Sequence, residues 1–531
     1  MDLNVDICSN YHLGHLVFKH LGRHADQISQ IDAATGEEEI YASVLKRSIR
    51  LAKALRAYGV KPGDVVAIGG PNHLDLCIPF YAALFNGLPI VGVDPYFKYD
   101  EVRKLLKLTS PRIAFCQNES YDTYAKAAED LRLDVKLVTF EEGQCTMKKF
   151  IETYCKPGAD DEQFKIAEFD LDKIYAFLVS TSGTSGKVKV AAFKHKQLLI
   201  KLMWLGRLQS HIKEPERSKK KSLVLSPVNW ISKYFTLLTA PAVGETTLQT
   251  SIPDNLDHII DIINKYRPET TFFSPSMIAC LLARKDEVDL TCLECLAIAG
   301  SKVYQDVLSE FKKLLAKNCI VMEAYGQTEM IGPILAPNPF GPAGSCGVPT
   351  DGYIIKLVDP NTGVEIKDAN VNGEIWVKGS SFSEYYNDPE ETAQAFTEDG
   401  FFKTGDILYR DDDNNYYFVD RIKALIKYRN SHIIPSELEE VIIRHPGVKE
   451  VSVVGIDDPV DGQRPLACVV REKGSDVTAQ EIQELIASNL SIKKELRGGV
   501  VFLDSLPYTS TGKLCRSKIK ELAVNIIKAN K

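Results

Sequence analysis

The run Ser180-Thr181-Ser182-Gly183-Thr184-Ser185-Gly186-Lys187-Val188-Lys189 concentrates the groups that phosphate needs, since seven of its ten residues are glycine or small hydroxyl residues and two are lysines. Glycines let backbone N–H groups approach an oxyanion, hydroxyls add neutral donors, and lysine supplies a point charge. A Walker A loop needs four residues between its first glycine and a Gly-Lys pair that is followed by Ser or Thr. Here Val188 follows the pair, and only Thr184 and Ser185 separate the glycines, which excludes an ordinary P-loop. Three further clusters carry compatible chemistry. Tyr325-Gly326-Gln327-Thr328-Glu329 sets a carboxylate beside a hydroxyl as a Mg²⁺ handle, with a flat ring next to glycine for a base. Asp406, in Thr404-Gly405-Asp406, suits a two-oxygen clamp on ribose hydroxyls, and Arg421, in Asp420-Arg421-Ile422-Lys423, suits the same sugar or a phosphate. Thr509-Ser510-Thr511-Gly512-Lys513 presents one lysine from a glycine turn. Each cluster alone also fits a plain turn or, for the terminal lysine, surface charge.

Taken together, in this order and spacing, the clusters resemble the adenylate-forming superfamily of acyl-CoA ligases, aryl-CoA ligases and insect luciferases, over essentially the whole chain. Five ordered matches weigh far more than any one of them. The resemblance implies that Ser182, Gly183, Thr184, Ser185, Gly186 and Lys189 hold phosphate, that Gly300 and Tyr325, Gly326 and Gln327 flank the nucleotide, and that Thr328 touches the α-phosphate. It makes Glu329 the Mg²⁺ ligand, Asp406 and Arg421 the ribose site, and Lys423 the hinge of a rotating carboxyl-terminal lid. The implied reaction uses ATP and Mg²⁺: a carboxylate attacks the α-phosphorus, pyrophosphate leaves, and CoA or dioxygen then meets the adenylate. Both first-step reactants are anionic, so positioning and cation supply should dominate the rate. Lys513 is the residue expected to bridge carboxylate and phosphate, with Thr328 beside it, and Lys427 resembles the lysine on the opposite face of the lid that serves the second step.

Departures from the family pattern shape the substrate expectation. Val188 and Val190 flank Lys189 where more permissive residues are usual. Asn430 replaces a usual glycine, a change that positive φ tolerates. In the stretch from Ser226 to Phe235, Trp230 occupies a position where the family commonly has histidine beside the acyl pocket. With Asn229 and Tyr234 it is expected to form a pocket wall, and an indole there favours a planar aromatic acid over a long acyl chain. The leading expectation is adenylation followed by oxidation with light, of luciferase or luciferase-like type, with likeness to the fly luciferases of fungus-gnat glow-worms. The alternative is an acyl- or aryl-CoA ligase. A weakened small-molecule-binding protein is disfavoured by retention of Lys513, Glu329 and Asp406, because binding alone has no use for a transition-state lysine.

These groups need a scaffold, and hydropathy patterning supplies one. Helical patterns alternate with short β-rich runs, as in Leu45 to Tyr58, Val65 to Gly70, Leu74 to Phe85 and Ile90 to Val93. The rhythm returns after the glycine loop with strands at Ser222 to Pro227 and Glu269 to Phe273 around a helix at Leu256 to Tyr266. The expected fold is α/β, with a large amino-terminal domain (1–422) of two layered α/β sheets plus a small β unit (about 340–422), and a small α+β lid domain (423–531). A charged fraction of 25% and a hydrophobic fraction of 44% are those of a globular protein, and a net charge of −7 argues against nucleic acid as a partner. Twelve scattered cysteines read as free thiols, the Cys292/Cys295 pair included, because no second pair stands at zinc spacing. With no signal-peptide layout, no Ser-Lys-Leu tail and no membrane-length apolar run, a cytoplasmic monomer acting on a small carboxylic acid is expected.

Overall fold

A computed structural model describes residues 10–155, 163–182, 188–202, 220–252, 255–350, 352–379, 382–429, 431–508 and 513–529. The strands Val66–Gly69, Ile90–Val93 and Ile113–Cys116 are short, apolar and buried at every position. They pair in parallel, as strands covered on both faces by helices do. With Lys136–Thr139 at one edge and Tyr175–Ser182, Val188–Lys194 and Glu384–Tyr385 on the other side, they form a seven-stranded sheet. A second seven-stranded sheet runs Ile320–Glu323, Cys295–Ile298, Thr270–Phe273, Lys221–Leu223, Thr246–Gln249, Ile28–Asp32, Glu37–Ile40.

This second sheet departs from a simple division into consecutive halves. Ile28–Asp32 comes first in the chain but pairs in parallel with Thr246–Gln249, with Gln30 opposite Thr247. The two sheets are therefore laced together by the amino-terminal segment. The strand expected over Ser222 to Pro227 is only Lys221–Leu223; the Val224 N–H still reaches the Leu248 carbonyl at 2.8 Å, and the chain then leaves the ladder. Between the sheets run the Cys77–Asn86 helix, buried along its whole length, and the Ile231–Val243 helix, which buries Lys233, Tyr234, Leu237 and Leu238.

An antiparallel five-stranded sheet of Glu365–Ile366, Tyr353–Val358, Gly373–Gly379, Phe402–Arg410 and Tyr416–Arg421 forms the β unit, and its Leu357, Ile375 and Phe402 join the main apolar core. The smaller carboxyl-terminal domain has its own sheet, centred on the long pair Val448–Asp458 and Gly462–Arg471, and its own apolar clusters. Its helices are Pro435–Ile442, Ala479–Asn489, which opens on a Thr478/Glu481 capping box, and Arg516–Ala529. No helix among the described residues is long and apolar enough to cross a membrane.

Candidate functional site

Asp406 is the best-defined member of the site. It lies opposite Arg421 in the pairing of Phe402–Arg410 with Tyr416–Arg421, and only 2% of it is exposed. Gly405 takes φ 70° just before it, and Thr404 anchors the turn through a hydroxyl bond to the Ile375 carbonyl at 2.7 Å. The Tyr325 hydroxyl donates to Asp406 Oδ2 at 2.9 Å, and the Gln327 amide donates to the same oxygen. Arg421 Nε stands 3.3 Å from Oδ1 without hydrogen-bond geometry, so Oδ1 is a buried acceptor with no hydrogen-bond partner among the described residues. Burial pushes the carboxyl up, while Arg421, Gln327 and Tyr325 oppose that shift. A buried acceptor held open beside a guanidinium fits a ribose hydroxyl.

Tyr325 and Gln327 reach Asp406 because Gly326–Gln327 pairs with Gly332–Pro333 in a tight hairpin. A Cβ on Gly326 would sit 2.2 Å from the Gly332 carbonyl oxygen, so this position needs glycine. The chain then enters a 3₁₀ turn, Thr328–Met330, that carries Glu329. Glu329 Oε1 accepts a hydrogen bond from Tyr385 at 2.9 Å. A lone oriented carboxylate is a donor set that suits Mg²⁺, which takes one or two carboxylates and fills its octahedron with phosphate oxygens and water. Among the described residues no group of three His, Cys, Asp or Glu side chains could hold a metal by itself.

The carboxyl-terminal domain contributes Lys513. Its Cε lies 3.9 Å from where a Cβ on Gly300 would stand, and Gly300 turns there with φ 105°. Burial lowers the amine from its ordinary range to about 8, and the Arg421 charge acts in the same direction. Asp406 and Glu329 pull it back up, so both carboxylates, Arg421 and the lysine share one field. The phosphate loop begins and ends in paired strand: Ser182 is opposite Val188 and Thr181 opposite Lys189. Val188 and Val190 thus sit in a ladder, where β-branched residues fit well. Lys189 forms an ion pair with Glu391 and lies 4.8 Å over the Tyr385 ring, the same tyrosine that holds Glu329. Gly183, Thr184, Ser185 and Gly186, and Thr509 to Gly512, lie outside the described residues, as does Asn430.

The structure thus brings Gly300, Tyr325, Gln327, Glu329, Asp406, Arg421 and Lys513 together, and leaves others apart. Lys427, on the strand Ile426–Tyr428, is exposed, and its backbone N–H donates to Gln463. Lys423, also exposed, sits in the 3₁₀ turn Ile422–Ala424 between the strands Tyr416–Arg421 and Ile426–Tyr428. Asn229 is buried and donates to Asp94 at 3.1 Å, while its own side-chain Oδ1 and the Trp230 indole N–H are buried without hydrogen-bond partners among the described residues. Tyr234 differs from the expected pocket wall. It is fully buried among Phe80 and Phe177, and its hydroxyl accepts the Gly92 N–H at 2.6 Å, so it braces the wall from behind. Tyr385 and Glu391, which organise Lys189 and Glu329, were not expected from sequence; Glu384-Tyr385-Tyr386 has no spacing that signals chemistry.

The AMP-binding enzyme family profile matches residues 17–386, and the profile of the AMP-binding enzyme C-terminal domain matches residues 437–513. A luciferin 4-monooxygenase of Photuris pensylvanica is 29% identical over 527 residues, spanning 96% of this chain and 95% of that protein. A probable 4-coumarate–CoA ligase of Dictyostelium discoideum is 28% identical, spanning 96% of this chain and 94% of its own. Among solved structures, an anthranilate CoA ligase in complex with anthranoyl-AMP superposes with a TM-score of 0.84 at 20% identity, over 97% of each chain, and shares the fold.

Proposed function

The chain belongs to the AMP-binding enzymes and is an ATP-dependent adenylate-forming enzyme, and we propose that it activates a planar aromatic acid whose adenylate is then oxidised by dioxygen with emission of light. The observation that carries the first step is the meeting of Lys513 with Asp406, Glu329 and Arg421 across the two domains. In this reading a carboxylate oxygen of the acid forms a bond to the α-phosphorus of ATP while the bond to pyrophosphate breaks. The Lys513 ammonium sits between the two anions and lowers the charge that must build up as they approach. Asp406 Oδ1 accepts from the ribose, with Arg421 alongside, and Tyr325 and Gln327 hold that carboxylate still. Lys189 and the glycine loop answer the outer phosphates, and Thr328 the α-phosphate. Glu329 would hold Mg²⁺, which would supply charge neutralisation to the phosphates.

We further place the domain boundary at 422/423, with Lys423 in the hinge and Lys427 serving the second step after the lid turns. The apolar residues Ile407, Val419 and Leu425 on either side of this turn form one small cluster, a compact pivot. The aromatic preference is supported by the Trp230 indole at the head of the Ile231–Val243 helix, braced by Tyr234. Oxidation with light is favoured by the 29% identity to a luciferin 4-monooxygenase, and dioxygen needs no dedicated binding residue. Transfer to CoA is the second reading, favoured by near-equal identity to a 4-coumarate–CoA ligase. One chain supplies every group named, so a monomer suffices, and eleven free cysteines among the described residues accord with a reducing, cytosolic setting. The test is incubation with ATP, Mg²⁺ and a panel of aromatic and fatty acids, with and without CoA, recording pyrophosphate, thioester and light together. Light with an aromatic acid in the absence of CoA is expected. Thioester without light would replace the oxidative reading, and preference for long-chain acids would overturn the pocket assignment.

A further inference from the structure

The turn after the Cys295–Ile298 strand meets the lid at two points. Gly300 faces Lys513, as described. Two residues on, Lys302 forms an ion pair with Glu440 on the lid helix Pro435–Ile442, the two side chains being 34% and 37% exposed. The adjacent residue on that helix, Glu439, is only 2% exposed and is bound within the lid: Arg516 Nη2 donates to its Oε2 at 3.0 Å, and Nη1 donates to its Oε1 and to the Val453 carbonyl at 2.8 Å. Glu439 also accepts the Val453 N–H at 2.7 Å. Arg516 opens the last helix, three residues beyond Lys513. Tyr304, from the same turn as Lys302, feels the charges of Glu439, Arg516, Glu440 and Asp420. The contacts close a circuit: from Gly300 to Lys302, across to Glu440, along the helix to Glu439, through Arg516 to Lys513, and back to Gly300.

We propose that Lys302 is a positioning residue for adenylation: its ion pair with Glu440 latches the lid in the first-step arrangement and, through the Glu439–Arg516 brace, sets Lys513 over the site. The proposal rests on the adenylation reading above. A buried guanidinium–carboxylate pair is rigid, so displacement of the helix end carries Lys513 with it. The outer pair is of the opposite kind. Half-exposed ion pairs are weak and shift an equilibrium only a few-fold, which suits an enzyme whose lid must release before Lys427 can act. A stronger latch would hold the first arrangement and slow the second.

The test uses the full-length protein as Lys302→Glu, Glu440→Lys and the double charge swap, checked for unchanged melting temperature. In ATP-loaded protein, hydrogen–deuterium exchange at residues 299–304 and 435–442 should rise in each single variant and return toward wild type in the swap. With 4-coumarate as probe acid, ATP–pyrophosphate exchange should fall about 2- to 5-fold in kcat in the single variants. The ATP KM should stay within about two-fold, since Lys302 does not contact the nucleotide site. Conversion of presynthesised 4-coumaroyl-AMP should be unaltered, and added salt should narrow the gap to wild type by screening the pair. Unchanged hydrogen exchange in the single variants, an equal loss in both half-reactions, or a swap that restores nothing would overturn the latch. Wild-type protein that supports no pyrophosphate exchange with any acid of the wider panel would overturn the adenylation reading, and the latch with it.

Discussion

Raising the pH should switch off the first half-reaction through Lys513 itself. Burial, with Arg421 adding to it, lowers this amine from 10.5 to about 8 in the site without ligands. That displacement corresponds to about 3 kcal/mol against the charged form. The ammonium is the form that can sit between carboxylate and phosphate, so kcat/KM for pyrophosphate release should be level below pH about 8 and fall about tenfold per pH unit above it. Once ATP brings its phosphates next to the amine, the charged form regains ground, so the same limb in kcat should lie at higher pH. The sign also separates this from undocking of the lid. A folded-state value below the unfolded one means that the docked, empty lid carries a penalty while Lys513 is protonated, and is relieved of it as pH rises between about 8 and 10.5. Docking thus becomes easier in the window where activity is lost. The assay is pyrophosphate release from pH 6.5 to 10 at constant ionic strength, at saturating and limiting acid. Lys513→Arg should be slower but without the limb, because guanidinium stays protonated throughout. Lys513→Ala should lose about two to three orders of magnitude in rate, with ATP binding nearly intact and no limb. An alkaline limb that persists unchanged in Lys513→Arg, or equal loss of ATP binding and turnover in Lys513→Ala, would refute the role.

Asp406→Ala should weaken ATP binding by about 10- to 100-fold in calorimetry, since it removes the proposed ribose acceptor and takes a partner from the Tyr325 hydroxyl and from the Gln327 amide, which keeps only the Thr404 carbonyl. Gly92→Ala should lower unfolding stability by about 1–3 kcal/mol and raise the KM for the acid, because its Cβ would stand 2.2 Å from the Val228 carbonyl and push Asn229 and Trp230; an unchanged melting curve would count against this packing. Lys427→Ala, at an exposed position, should leave pyrophosphate exchange unaltered while slowing consumption of the preformed adenylate. Trp230→Ala should raise the relative kcat/KM of longer acids by about 10-fold, the worth of one or two methylenes in an apolar pocket, and an unaltered acid profile would remove Trp230 from the specificity surface.

Much of the scaffold was readable because its signals are local. The run at Ile90 to Val93 forms a strand at those bounds, and the Leu256–Tyr266 helix ends where its apolar period ends. What was not readable is which sheet a strand joins. Nothing in Ile28–Asp32 announces that its partner, Thr246–Gln249, lies more than two hundred residues away, since Ile-Ser-Gln-Ile-Asp shows neither a clean alternation nor a continuous apolar run that would assign it to either sheet.

The site divides along the same line. Asp406, Tyr325, Glu329 and Lys513 stand in glycine- and hydroxyl-rich stretches, because backbone that must turn sharply next to an anion leaves few residue types available. The groups that hold them in place obey no such restriction. Tyr385 reaches Glu329 across 56 positions and Lys302 reaches Glu440 across 138. In each case a single donor meets a single carboxylate, and many pairs of residues could do as well. Pairwise contacts between distant elements leave no periodicity and no spacing to read. Of the two, the half-exposed Lys302–Glu440 pair is weak enough to break on every turnover, as the proposed latch requires. A sequence can therefore display candidate chemical groups in recognisable motifs while concealing the distant pairs that hold them in place.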